Sequence, residues 1–411
     1  MTMNVSLNLP KNSRNCAVCG DDNIRLLYSQ KFSSYSDSGL LKGYDIVTCQ
    51  SCGFCFAYNI PDQKVFDVYY REMSKYEAEN RDSKPTKYDL AKFEIIAATI
   101  ESNLQDKKIS ILEIGCANGH LLSLLKQRGF INILGADPSP ACAKSAYQLY
   151  GIKVLTNTLS DIKVAKNSID FLILAGVMEH IRDLDSVMIK LNDMVSLRGE
   201  IYLAVPDASR YAHGEDAPFQ EFSTEHINFF GPISLTNLMH KYGFSQMHLD
   251  QISVEPSYHT KVPIISSIYK KDPNTKPDHR LVLDTDTEPG LVSYISKSRR
   301  MDNHINKSIN RIVDSGKPVI IWGTGALALR LLANSRLSEA KITAFVDSNP
   351  HYQGKELIGV PIIAPVDLKK YDETILIATR SHQEEIINII RNELNLRNDL
   401  ITLFNVPSGN V

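Results

Sequence analysis

The chain has no excess of basic charge. Its 45 Lys and Arg stand against 47 Asp and Glu, which gives a formal net charge of −2 and a pI of about 6.6. Without a global basic field, neither a nucleic-acid partner nor an anionic membrane partner is suggested. It also lacks an uninterrupted run of about 18 apolar residues, the length a membrane span needs. The longest candidate, near Val319, is broken by glycines and by Arg330. No apolar signal region precedes the first cysteines, so the expectation is a soluble, cytoplasmic protein. What remains is length: 411 residues suggest two or three domains at roughly 150 residues each.

Cysteine is scarce but concentrated, with five of the seven between residues 16 and 55. They read Cys16-Ala-Val-Cys19-Gly20 and Cys49-Gln-Ser-Cys52-Gly53-Phe-Cys55. Two CxxC pairs, each followed by glycine, form tight knuckles whose sulfurs converge, the arrangement of a four-cysteine zinc site. Such a site is structural, since four thiolates leave no open coordination position. The alternative is a pair of disulfides, which fits a chain without an export signal less well. Cys55 is spare and reads as a small buried apolar residue. A tyrosine-dense run follows (Tyr58, Tyr69, Tyr70, Tyr76, Tyr88), mostly packing residues by their amphipathic character, one of them a candidate to face a ligand.

The most informative stretch is Ser110 to Ser139. An apolar run ends at Glu113-Ile-Gly115-Cys116-Ala117-Asn-Gly119, a helical pattern follows, and a second apolar run ends at Asp137. A strand, glycine loop, helix and strand-end acid suit a nucleoside or dinucleotide, with amides at the helix start and a carboxylate for ribose hydroxyls. The NAD fingerprint requires GxGxxG directly after the strand, whereas here an acid precedes the first glycine. That order resembles motif I of class I S-adenosylmethionine (SAM) methyltransferases, with Ala117 in place of the middle glycine. The resemblance implies that Glu113 and the loop (Gly115, Cys116, Ala117, Gly119) hold the methionine end of SAM, and that Asp137, followed by Pro138, accepts from the ribose.

Strands and helices alternate from about Lys84 onward, which predicts a doubly wound parallel sheet with ligands at the carboxyl ends of its strands. Those tips carry Asn157 and Thr158, then Ala175, Gly176 and His180, further candidates for the cofactor and acceptor sites. Leu174-Ala-Gly-Val-Met-Glu-His180 resembles a methyltransferase segment that lines the SAM pocket. His180 then faces the substrate or, on the other reading, packs against the next helix. After the fifth strand comes Phe219-Gln-Glu-Phe-Ser-Thr-Glu225-His226. An adjacent acid and imidazole there can supply a base and a group that steadies developing charge, or can simply tie down the loop.

Near the C-terminus Pro318-Val-Ile-Ile-Trp-Gly323-Thr-Gly325 opens a second βαβ unit that reaches Asp347, with Ala328 where a third glycine is expected. It reads as an NAD site, a nucleotide-sugar platform or an empty scaffold. The expected division is a zinc-binding lobe (1–83), a class I SAM methyltransferase domain (84–275) and a Rossmann-like α/β domain (276–411). This combination resembles bacterial sugar C-methyltransferases, which methylate nucleotide-linked 4-keto deoxysugars. The resemblance implies catalytic roles for His226, Glu225, His180 and, most loosely, Tyr76. The family tyrosine two before the glutamate is Ser223 here. The expected activity is C-methylation beside a ketone, with His226 as base and Glu225 orienting it. The expected acceptor is a nucleotide sugar, and the expected assembly a monomer or weak homodimer. The alternatives are O- or N-methylation of such a sugar, an NAD(P)-linked sugar oxidoreductase, and a catalytically idle zinc-bearing binding module.

Overall fold

The computed structural model of the chain describes residues 14–33, 41–72, 85–271 and 281–404. At the N-terminus β1 (Ile24–Lys31), β2 (Gly43–Cys49) and β3 (Cys55–Tyr58) form an antiparallel meander, followed by α1 (Gln63–Glu72). Helix α2 (Lys87–Asn103) starts at a capping box in which Thr86 and Asp89 satisfy each other's backbone N–H. It leads into β4 (Ser110–Ile114), α3 (His120–Gln127), β5 (Asn132–Ala136), α4 (Pro140–Tyr150), β6 (Val154–Leu155) and β7 (Ile169–Ala175). Next come α5 (Leu184–Met194), β8 (Val195–Pro206), β9 (Asn228–Phe229), α6 (Pro232–Lys241), β10 (Phe244–Val254) and β11 (Val262–Lys271).

The central sheet has the order β10-β11-β8-β7-β4-β5-β6. Strands β8, β7, β4, β5 and β6 are parallel, while β11 runs antiparallel to β8 and β10 antiparallel to β11. Helices cover both faces, which is why β4 and β7 are almost wholly apolar rather than alternating. The expected α/β class with a doubly wound sheet is therefore what the chain adopts.

The third sheet follows α7 (Thr287–Ser315) and is built from β12 (Pro318–Trp322), α8 (Ala326–Asn334), β13 (Lys341–Val346), β14 (Glu356–Leu357), β15 (Val360–Ile363), β16 (Thr374–Ile377), α9 (Gln383–Asn388) and β17 (Leu400–Thr402). Its order is β14-β15-β13-β12-β16-β17, parallel except for β14.

One pairing crosses these units. Strand β9, from the loop beyond the central β8, hydrogen-bonds to β3 and so becomes the fourth strand of the N-terminal sheet. Arg14 locks this junction: it is buried and donates to the carbonyls of Ala57, Arg182 and Ile227 and to Asn228 Oδ1. The N-terminal cysteines share one continuous core with Leu112, Leu174, Leu235 and Leu238 of the central unit. The C-terminal unit docks on the N-terminal sheet through Ser33 N–H to the Leu329 carbonyl (2.9 Å) and Asn334 Nδ2 to the Lys31 carbonyl (2.9 Å). Among the described residues no helix is long and apolar enough to cross a membrane.

Candidate active site

The glycine loop leaves β4 in the left-handed region, with φ of 73° at Gly115 and 75° at Gly119. Glycine is required at 115 for a second reason: a Cβ there would lie 2.7 Å from Val177 Cγ2, so the loop after β7 presses directly on it. This contact brings Gly176 and Ala175 against the glycine loop. Ala117 also takes a positive φ of 45°, a conformation that costs an L-residue about 1–2 kcal/mol, which accounts for glycine being the usual residue there. Asp137 ties the loop to β5, accepting the Ala117 N–H at 3.0 Å and the Ser139 N–H at 2.9 Å. Of the other candidates, Cys116 turns its thiol inward to where a Cβ on Gly135 would sit, and Thr158 donates to Asp161. Pro138 is half-buried beside Asp137, and Asn157 bonds through its backbone to Leu155.

Glu113 is buried, and its Oε2 has no hydrogen-bond partner among the described residues. Burial, and then the charge of Asp137, push its pKa up to about 8. Two carboxyl groups held close together beside a strained amide-rich loop fit a ligand that brings hydroxyls and an ammonium, as SAM does. In the ligand-free protein the folded pKa lies above the ordinary 4.5. Stability from Glu113 is therefore fully present below about pH 4.5 and lost as pH rises through about 8. The expected result is that Glu113→Gln gains thermal stability over the wild type between pH 5 and pH 9. Parallel melting curves would mean that Glu113 titrates normally.

The predicted catalytic residues converge at the carboxyl ends of the sheet. His180 and His226 pack edge to face with ring centroids 5.0 Å apart, and Glu179, His180 and His226 each bring a polar atom within 4.8 Å of the others. The fourth predicted residue, Tyr76, lies outside the described residues. Two earlier tyrosines of the same run occupy the site from α1: Tyr70 Oη is 3.0 Å from His180 Nδ1, and Tyr69 donates to Glu225 Oε1 at 2.9 Å. The Glu225 carboxylate thus meets a phenol. The carboxylate beside the His226 ring is Glu221, with Oε2 3.5 Å from Nδ1. Neither Glu179 nor Glu221 was singled out by sequence reasoning, because nothing in their spacing marks which way they point. The C-terminal unit reaches this place too. Burial and then the charges of Asp347 and Glu225 push the Tyr352 phenol upward, so the loop after β13 lies within electrostatic range of Glu225. Asp347 accepts from the Thr324 N–H and hydroxyl and from the Asn349 N–H, repeating the Asp137 arrangement in the second glycine loop.

Between the central and C-terminal units a cleft of about 550 Å³ opens, lined by Lys87 and Tyr88, by the β10–β11 turn at Tyr258 and His259, and by Arg380 and His382 beyond β16.

In the N-terminal lobe Cys16, Cys19, Cys49 and Cys52 have all four sulfurs within 4.8 Å of one another, and none forms a disulfide. Cys16 Sγ accepts the Cys19 N–H and Cys49 Sγ accepts the Cys52 N–H, as knuckles do. Gly53, at φ 80°, lets the second knuckle approach Asp284, whose carbonyl oxygen would lie 2.1 Å from a Cβ. Cys55 stays outside the cluster, buried, its thiol pKa raised by burial.

Residues 80–249 match the family model of a methyltransferase domain, and residues 315–401 match a model described as C2185-like, N-terminal. No curated protein shows a significant match. Among solved structures the chain is similar to a 1,6-didemethyltoxoflavin-N1-methyltransferase of Burkholderia thailandensis with bound S-adenosylhomocysteine. The two are 14% identical over 59% of this chain and 99% of that one, with a TM-score of 0.41. It is also similar to the magnesium protoporphyrin IX methyltransferase of Synechocystis (12%, 51% and 100%, 0.41) and to a SAM-dependent methyltransferase of Mesorhizobium loti (12%, 42% and 96%, 0.37). The central unit is a class I methyltransferase domain. The chain thus carries a SAM-dependent methyltransferase domain, joined to a lobe with a four-cysteine cluster and to a Rossmann-like α/β unit.

Proposed function

We propose that this methyltransferase acts on a carbon beside the ketone of a nucleotide-linked deoxysugar. The observation that carries the reading is the convergence of Tyr69–Glu225, Tyr70–His180 and His226 at the sheet's carboxyl end. When bound, SAM supplies an electrophilic methyl group on its sulfonium. The protein's task is to make a carbon nucleophilic. A proton next to a ketone is weakly acidic, so a positioned base must take it while donors hold the enolate oxygen. The His226 imidazole takes the proton, and the Tyr70 hydroxyl with the His180 ring lies alongside to hold the developing charge. Held by Glu113, the glycine loop and Asp137, SAM would present its methyl to the carbon so activated, and the His226 imidazolium returns its proton to solvent. The large cleft with Arg380 and Lys87 on its walls is of the size a nucleotide requires and offers cations for its phosphates.

We further propose that the four thiols bind one structural zinc. A tetrahedral ion with ~2.3 Å bonds to sulfur sets its ligands about 3.8 Å apart. The Cys16–Cys52 and Cys19–Cys49 pairs stand at 3.5 and 3.4 Å, slightly inside that spacing.

The test is incubation with SAM and nucleotide-linked 4-keto deoxysugars in deuterated water, followed by NMR of the product. A new carbon-bound methyl at the position next to the ketone is expected. A methyl on oxygen or nitrogen would replace the C-methylation reading. A protein that binds NAD but not S-adenosylhomocysteine in calorimetry would sink the whole reading.

A further inference from the structure

The loop between β8 and β9 is tied to helix α7 just before it reaches His226. Phe219 N–H donates to Ser298 Oγ and Glu221 N–H to Tyr294 Oη, both at 3.0 Å, from helix α7. Phe222 is fully buried, with ring contacts at 5.2 Å to Tyr294 and 5.3 Å to Phe229. This packing fixes the Glu221 side chain, only 10% exposed, against Nδ1 of His226. On the other sides of His226 stand His180 and Glu179, with the neighbouring Glu225 turned to Tyr69. Behind Glu221 lie Tyr44, Tyr211, Tyr294 and Asp216, whose phenols and carboxyl are all raised, by burial first and by the Glu221 charge among the lesser causes. Lys297, on the same wall, is turned to the carbonyls of Ala212 and Gly214. The imidazole is thus the cation-forming group that the Glu221 carboxylate meets in its ion-pair contact.

We propose that Glu221 is the positioning residue of His226. Its carboxylate, 3.5 Å from Nδ1, would accept Nδ1–H once the two close to hydrogen-bond distance, which leaves the lone pair on Nε2 for the acceptor proton, and it stabilises the imidazolium formed once that proton is taken. The proposal rests on His226 being the base. It assigns the orienting role to a residue five positions upstream rather than to the adjacent acid. Glu221 does not touch the acceptor. It acts through the ring, and it also lines the chamber behind the site together with Tyr211 and Tyr294.

The experiment is NMR of ring-labelled histidine in the full-length protein, with the His226 signals assigned by their loss in His226→Ala. In the wild type the neutral ring is expected as the Nδ1–H tautomer. In Glu221→Gln its pKa falls by about one pH unit, the acid limb of kcat/KM moves down with it, and Glu221→Asp restores part of the shift. An Nε2–H tautomer in the wild type overturns the proposal, and that observation does not depend on Glu221→Gln folding. So does a His226 titration identical in wild type and Glu221→Gln. Because tautomer and titration are read without methyl transfer, failure on every sugar acceptor would count against the proposed function and not against this pairing.

Discussion

His226→Ala is expected to lower methyl transfer by about 10²–10⁴-fold, the range that a positioned general base contributes. Affinity for S-adenosylhomocysteine should stay within about twofold. The two effects separate because the cofactor loop rests on β4, α3 and β5, whereas His226 sits on the loop before β9. Truncating the ring also removes the edge-to-face partner of His180, which keeps its bonds to Tyr70 and to the Glu225 carbonyl. The site is therefore expected to lose its proposed base and keep its frame. Calorimetry with S-adenosylhomocysteine and turnover with a nucleotide-linked keto sugar measure the two quantities. Undiminished turnover would remove the base assignment.

The second large effect is expected at the cysteines. Native mass spectrometry should find about one zinc per chain, and Cys52→Ser should lose it. Metal binding to such a site is folding free energy, so the cost is expected to reach several kcal/mol. It should not stay local. The cysteines belong to the same core as Leu112 and Leu174 under the central sheet, and β3 carries β9, which begins two residues after His226. Melting of the lobe then releases the catalytic loop, and activity falls together with the melting temperature. A metal-free protein with unchanged stability would remove the knuckle argument.

Much of the central unit was legible in the residue order. The acid, two glycines and distal acid from Glu113 to Asp137 come from one contiguous stretch, and the structure places Asp137 on the loop's own amide. The alternation of strands and helices from about Lys84 onward likewise followed from periodicity. The tyrosines were less legible. Tyr69 and Tyr70 are adjacent on α1, yet both reach the site, one to Glu225 and one to His180. Helical spacing gives no reason to prefer them to Tyr76.

The sequence alone determined what short-range geometry can determine. Two CxxC turns bring four thiols to knuckles, and a strand, glycine loop and acid make a nucleoside cradle, because the atoms involved are separated by a few bonds and fixed dihedrals. Tertiary structure decided which carboxylate stands beside the His226 ring. Glu225 is its neighbour in the chain, but adjacent side chains diverge, and only the packing of residues 219–222 against α7 turns Glu221 toward the ring. It also decided that β9 completes the N-terminal sheet and that α8 meets the end of β1 through Asn334 and Lys31. Those contacts join residues more than a hundred positions apart, and their geometry is set by how whole sheets dock, which no local pattern encodes.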